Sequence, residues 1–339
     1  MNTEERFSRQ RLFHGIGRSG QKKLEESHVI VIGAGALGSL TAESLVRAGI
    51  GKLTLIDRDY VEVSNLQRQQ LYTEADAAAY TPKAEAAKRR LLDIRSNAVI
   101  DIIVGEADPA VLENCLPADL IIDGLDNMET RLMINDTALK HRIPWIYGAC
   151  VGAYGLSYTV TPEEGPCLRC LMKGIPMEGE TCDTMGIIAP AVQFVSATQV
   201  TEAMKLLTHS FKQLRGTLWS FDVWSNESSS IRVDSLQDVH CPSCGESPTY
   251  PALAWSGRSK AETLCGRDAV QVKPLPDMQV SLERTADAHK KHLSKANQHL
   301  LVLNIENKRL VLFKDGRAII HGVSGEVEAR SLYQRYIGG

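Results

Sequence analysis

The stretch from His28 to Gly38, HVIVIGAGALG, narrows the possible folds more than any other part of the chain. A short apolar, β-rich run ends in glycine and reads as a buried strand. Leu37–Ala48 then carries helical spacing and stops at Gly49, a helix C-cap. Lys52–Asp57 reads as a second strand, Lys83–Ile94 as a helix, Val99–Val104 as a strand, Pro109–Cys115 as a short helix and Asp119–Asp123 as a strand. Met128–His141 and Pro144–Tyr147 continue the alternation. Repeated βαβ units imply a parallel sheet covered by helices. Ala153–Val160 and Arg215–Trp224 read as antiparallel additions, and Ala191–Thr208 as a long amphipathic helix.

A chain of 339 residues has room for two domains. The first, residues 1–250, is expected to be α/β and Rossmann-like: a mostly parallel sheet with an antiparallel extension. Residues 4–26 read as short polar helices in front of it. Between Met172 and Ala189 the periodicity lapses in a Gly-, Pro- and Met-containing stretch, read as a mobile crossover loop. The second, residues 251–339, reads as a small α+β domain of unknown role, with a hairpin turning on Asp315-Gly316 and a closing helix at Glu326–Ile337.

Gly33-Ala-Gly35-Ala-Leu-Gly38 follows a strand and opens a helix. Glycine lets backbone approach a phosphate, and a helix N-terminus offers free N–H groups. Asp57 ends the next strand, where a carboxylate can hold ribose hydroxyls. Alone, this pattern predicts NAD and a dinucleotide-dependent oxidoreductase. Further residues favour ATP. Ser64-Asn-Leu-Gln-Arg-Gln69, Thr81-Pro-Lys83 and Asp123-Gly-Leu-Asp-Asn127 all fall where strand ends converge on one crevice. Arg68, Lys83 and Asn65 would meet there beside Asp126. Taken singly, Arg68 and Lys83 read as solvated charges and Asp126 as a helix N-cap. Together, two cations suit a triphosphate, and a lone carboxylate suits Mg²⁺.

Here the chain resembles the ThiF/MoeB family of the ubiquitin-activating enzyme superfamily. The resemblance runs from about Arg6 to Gly245 and rests on Phe7-Ser-Arg-Gln10, Gly33–Gly38, Leu55-Ile-Asp57, Ser64–Gln69, Pro82-Lys83, Leu125-Asp-Asn127 and two Cys-x-x-Cys pairs. It implies ATP-dependent adenylation of a carrier protein's C-terminal carboxylate. Gly33, Gly35, Ala36 and Gly38 would face the phosphates, Asp57 the ribose, and Ser64, Asn65, Arg68 and Lys83 the triphosphate. Asp126 would hold Mg²⁺, with Asn127 beside it. Arg9 matches an arginine that reaches the partner subunit's ATP, which implies a homodimer. Cys182 matches a loop cysteine able to bond the carrier's C-terminus. Ala36 stands where glycine is frequent, and Gly124-Leu125 where Cys-Thr or Ala-Thr is common.

Cys167-Leu-Arg-Cys170 and Cys241-Pro-Ser-Cys244 each have the gap that sets two thiolates on one tetrahedral metal. Seventy residues separate the pairs, so the fold must assemble the site. Four thiolates leave no open position, which predicts a structural zinc. Cys115, Cys150 and Cys265 read as core or incidental residues.

Within the family the resemblance implies the thiazole-pathway carrier ThiS as substrate, with the molybdopterin carrier MoaD as the alternative. The three stretches that carry this are Pro144–Cys150 with Gly152–Tyr158, Ser220–Trp224, and Leu264–Gln271 with the C-terminal unit. A net charge of −3 without a long basic run argues against nucleic acid. No apolar window is long enough to span a membrane and no export signal is visible, so a cytoplasmic enzyme is expected.

Overall fold

The structure is a computed structural model that describes residues 3–162, 164–174, 185–254, 261–264, 269–273 and 280–338. These residues fall into two compact units, the first ending at residue 254 and the second beginning at 261.

The first unit is built on an eight-stranded sheet. Its strands are β1 (His28–Ile32), β2 (Lys52–Asp57), β3 (Val99–Val104), β4 (Leu120–Asp123), β5 (Trp145–Val151), β6 (Tyr154–Val160), β7 (Thr217–Asp222) and β8 (Glu227–Arg232), in the order β3-β2-β1-β4-β5-β6-β7-β8. β3 through β5 are parallel in that order, and β6, β7 and β8 add on antiparallel. The continuous apolar run of β1 follows from burial on both faces. Val29 and Val31 pack with Leu45, Leu53 and Leu91 on one side, while Ile30 and Ile32 pack with Met133, Ile134 and Trp145 on the other. All four are sealed from water, which stabilises the fold by about 1.5–3 kcal/mol for each such side chain.

The helices expected from periodicity form at Ala36–Ala48, Lys83–Ile94, Pro109–Cys115 and Met128–Lys140. Gly49 closes the first in the left-handed region at φ 94°, where glycine carries no Cβ penalty. Asp108 caps the third by accepting from the Val111 N–H. The long helix occupies Ala189–Leu207 and packs across the sheet, burying Val192, Val195, Ala203 and Leu206.

Two features differ from the sequence expectation. β5 continues to Val151, four residues beyond Tyr147, because β6 pairs with it along its whole length from Val160 to Tyr154. Arg215–Trp224 reduces to β7, and an additional edge strand, β8, pairs with it. β8 reads Glu-Ser-Ser-Ser-Ile-Arg and is exposed throughout, so it has no apolar alternation to betray it; backbone pairing alone places it. Of the expected crossover loop, Met172–Gly174 instead belongs to a helix, Leu168–Gly174, and Cys182 lies outside the described residues.

The second unit is a six-stranded antiparallel sheet ordered β11-β12-β13-β14-β10-β9, from β9 (Ala261–Leu264), β10 (Ala269–Val272), β11 (Leu293–Ala296), β12 (Leu300–Ile305), β13 (Lys308–Phe313) and β14 (Ala318–His321). The expected hairpin is β13–β14, with Phe313 N–H bonded to Arg317 O across the Asp315-Gly316 turn. The helix Glu326–Tyr336 lays Ala329, Leu332 and Tyr333 against Leu301, Leu303, Leu310 and Ile320. No helix among the described residues is long and apolar enough to cross a membrane.

Candidate active site and four-cysteine cluster

Ile32 of β1 sits in register with Ile56 of β2 and Asp123 of β4. The chain therefore leaves β1 at the point where strand order reverses, the position at which open α/β sheets hold ligands. Gly33 turns there with φ 91°, and a Cβ on it would lie 2.5 Å from Gly124 O; one on Gly38 would collide with Gly33 O. These two glycines let helix and strands pack backbone to backbone. Gly35 is different. A Cβ on it would meet only Gly124 O, at an ordinary 3.8 Å, so the protein's own packing does not demand glycine. A ligand lying against the backbone would. Among the described residues the N–H groups of Gly35, Ala36, Leu37 and Gly38 meet no acceptor. Four unpaired donors at the start of a 13-residue helix form a receptor for an anion.

Asp57 accepts the Ala34 N–H on Oδ2 and the Asp59 N–H on Oδ1, both at 2.6 Å. Burial pushes its carboxyl above the usual carboxylate range, and the nearby Lys83 ammonium opposes that shift. Asp57 thus shapes the glycine turn, while each oxygen keeps a second lone pair for a ribose hydroxyl. Lys83 opens its helix almost fully buried, at 3% exposure, with Nζ 3.1 Å from Asp59 Oδ2. Asn65 is buried and accepts the Glu62 N–H at 3.1 Å, and this capping box sets the turn carrying Ser64 and Arg68. Arg68 is half-buried and its Nη1 donates to Ser64 O at 3.0 Å; Ser64 itself is exposed.

At the end of β4, Asn127 rather than Asp126 caps the next helix, accepting the Thr130 N–H at 2.9 Å. That leaves the exposed Asp126 carboxylate without a hydrogen bond among the described residues, available to a cation. The turn before it is held by Arg131, which donates to Asp123 Oδ2 at 2.8 Å, Leu125 O at 2.6 Å and Gly148 O at 3.0 Å. Gln199, from the long helix, donates to Asp123 O at 2.8 Å.

Arg9 is exposed on the short helix Ser8–Leu12. Its neighbours Arg6 and Gln10 donate to Ile94 O and Ala48 O, the last residues of the helices that Lys83 and Ala36 begin. Twelve to thirteen helical residues lie between, a length of about 18–20 Å, so Arg9 stands far from its own chain's glycine turn.

Cys167, Cys170, Cys241 and Cys244 converge, with every Sγ within 4.8 Å of the others and closest pairs at 3.5, 3.7 and 3.9 Å. Thiolates at 2.3 Å from a tetrahedral ion would stand about 3.8 Å apart, so the donor set fits zinc. Hydrogen bonding to Cys244 and burial push the Cys167 thiol up, and burial pushes Cys170 up to about 11, the cost that a bound cation would reverse. A buried carboxylate, Asp136, fastens both knuckles: it accepts from Ser243 Oγ at 2.5 Å and from Arg169 Nη2 at 3.4 Å. Of the other cysteines, Cys150 is buried, Cys115 is half-buried and Cys265 lies outside the described residues.

The sequence matches the ThiF family over residues 7–243. This chain belongs to the ThiF family. Among its relatives is the sulfur carrier protein ThiS adenylyltransferase of Bacillus subtilis, 48% identical over 98% of this chain and 99% of that protein, an alignment that takes in the second unit. The Escherichia coli ThiS adenylyltransferase is 36% identical over 73% of this chain and 97% of its own. The E. coli molybdopterin-synthase adenylyltransferase is 31% identical over 71% of this chain and 96% of its own. A crystal structure of E. coli MccB with ATP shares the fold at a TM-score of 0.61 and 23% identity, covering 72% of this chain and 75% of that one. Three residues of this crevice lie outside the sequence motifs: Asp59, Tyr72 and Arg131. Asp59 acts on Lys83 and Tyr72 on Ala34, 24 and 38 positions away, and Arg131 acts on Asp123, eight positions away.

Proposed function

We propose that this chain transfers AMP from ATP to the C-terminal glycine carboxylate of the sulfur carrier ThiS, for thiazole synthesis. The observation that carries the reading is the row of unpaired N–H groups from Gly35 to Gly38, on the same sheet edge as Lys83 and the Arg68 turn. Likeness to a ThiS adenylyltransferase at 48% identity over 98% of the chain supports ThiS over MoaD, the molybdopterin-synthase relative being 31% identical.

The reaction follows from the charges. A carrier carboxylate is ionised at neutral pH and needs no general base. It attacks the α-phosphorus of ATP; a C–O–P bond forms and the bond from the α-phosphorus to the bridging oxygen breaks, releasing pyrophosphate. The N–H groups of the glycine turn, the Lys83 ammonium and the Arg68 guanidinium stabilise charge on the phosphates as it develops. Fixed donors of this kind contribute the largest share of rate enhancement in many enzymes. Asp57 holds the ribose, with Asn65 setting the turn. Asp126 is the residue that would hold Mg²⁺, which when bound neutralises phosphate charge. Cys167, Cys170, Cys241 and Cys244 would hold zinc, which when bound would tie residues 167–170 to residues 241–244. Arg9 completes the site of the second copy in a homodimer, in keeping with its distance from its own chain's crevice.

The test is mass spectrometry after mixing the protein, MgATP and each purified carrier. A gain of one AMP on ThiS, with MoaD unmodified, is the expected result. Adenylated MoaD alone would transfer the assignment to the molybdopterin carrier, and no adenylate on either would remove it.

A further inference from the structure

Tyr72 Oη donates to the carbonyl oxygen of Ala34 at 2.5 Å, and both residues are buried. Tyr72 comes three residues after Gln69, whose carbonyl accepts the Tyr72 N–H at 3.2 Å. One phenol therefore fastens the end of the Arg68 turn to the glycine turn.

The accepting carbonyl belongs to the peptide unit joining Ala34 to Gly35. That unit is planar and trans, so its C=O and N–H point in opposite directions. Holding the carbonyl on Tyr72 aims the Gly35 N–H the other way, out of the core. The preceding unit is held as well, by the Ala34 N–H on Asp57 Oδ2 at 2.6 Å. With both planes flanking Ala34 fixed, the Gly35 N–H is left without an acceptor among the described residues, at the one glycine of the turn whose Cβ the protein would accommodate. Burial, reinforced by the charges of Asp57, Asp59 and Asp76, holds the phenol proton on, so Tyr72 remains a donor throughout the physiological range.

We propose that Tyr72 is a positioning residue for nucleotide phosphate: its hydroxyl orients the Gly35 N–H toward the phosphates and couples that donor to the Arg68 turn. This rests on the adenylating reading above. Tyr72 touches no substrate; it acts through a peptide plane.

The experiment is calorimetric binding of MgATP and of adenosine to the full chain and to Tyr72→Phe, which retains the ring packing and loses only the hydroxyl. One misdirected hydrogen bond should weaken ATP about three- to tenfold. Adenosine, which has no phosphate for Gly35 to meet, should bind within a factor of about two of wild type. Equal weakening of ATP and adenosine would reduce Tyr72 to a general packing role and overturn the proposal. So would unchanged ATP binding in Tyr72→Phe. A wild-type chain that fails to prefer ATP over adenosine would instead remove the adenylating reading itself, and this inference with it.

Discussion

Arg131 Nε donates to Asp123 Oδ2 at 2.8 Å, with the Asp123 side chain wholly shut from water and the Arg131 side chain 8% exposed. The pair sits under the turn that presents Asp126, and the same guanidinium lies 5.0 Å from the centre of the Tyr147 ring. Burial pushes the Asp123 carboxyl above the usual carboxylate range, against the pull of Arg131 and of the Leu125 and Gly148 N–H groups. A buried pair adds little when intact, but losing one member strands the other. Arg131→Met is expected to destabilise the chain by about 3–5 kcal/mol, read as a lower urea midpoint at constant slope. A loss below about 1 kcal/mol would mean that water reaches Asp123.

Under the proposed function, Lys83 should contribute to chemistry more than to folding. It is already held by Asp59, and its stem is enclosed. Lys83→Met keeps the apolar stem and removes the charge facing the phosphates. Carrier-dependent ATP–pyrophosphate exchange should fall at least about a hundredfold, with thermal unfolding shifted by only a few degrees. Exchange within a factor of about three of wild type would take Lys83 out of the site.

The four-cysteine cluster should bind zinc stoichiometrically and in a structural role. Elemental analysis is expected to find one zinc per chain, lost in Cys244→Ala. If zinc joins residues 167–170 to residues 241–244, its removal by a chelator should lower the unfolding temperature before exchange activity disappears. Instant loss of activity with an unchanged melting curve would indicate a catalytic metal instead.

Subunit exchange tests Arg9. Arg9→Ala and Arg68→Ala should each be inactive alone. If Arg9 serves the partner's crevice, an equal mixture places both changes in one site of each mixed dimer and leaves the other site intact. Activity should return to about a quarter of wild type. No recovery after verified exchange would place Arg9 in its own chain's site, and wild-type activity of Arg9→Ala alone would place it outside the reaction.

Much of this molecule could be read locally. The strand, glycine turn and helix from His28 to Ala48 depend on spacings of two to four residues, which a sequence displays directly. So do the two Cys-x-x-Cys knuckles, since two thiolates on one ion need that gap. β8 was invisible because its Ser-Ser-Ser core carries no hydrophobic period and its placement comes from backbone pairing with β7. β12 of the second unit is equally hard to see, since residues 300–303 form an unbroken buried apolar run and pairing with β13 places it.

The sequence by itself determined the kind of site: a glycine turn for phosphate, two cations, a free acid and a four-thiol cluster are set by residue chemistry at short range. Only the tertiary structure decided how those groups are held. Lys83 finds Asp59 across 24 positions and Tyr72 finds Ala34 across 38, distances over which pattern is silent. It also placed Arg9 at the far ends of the very helices whose first turns build the crevice. The reason is physical: a helix of 12 or 13 residues is rigid, and whatever docks at its last carbonyl is about 18–20 Å from its first N–H.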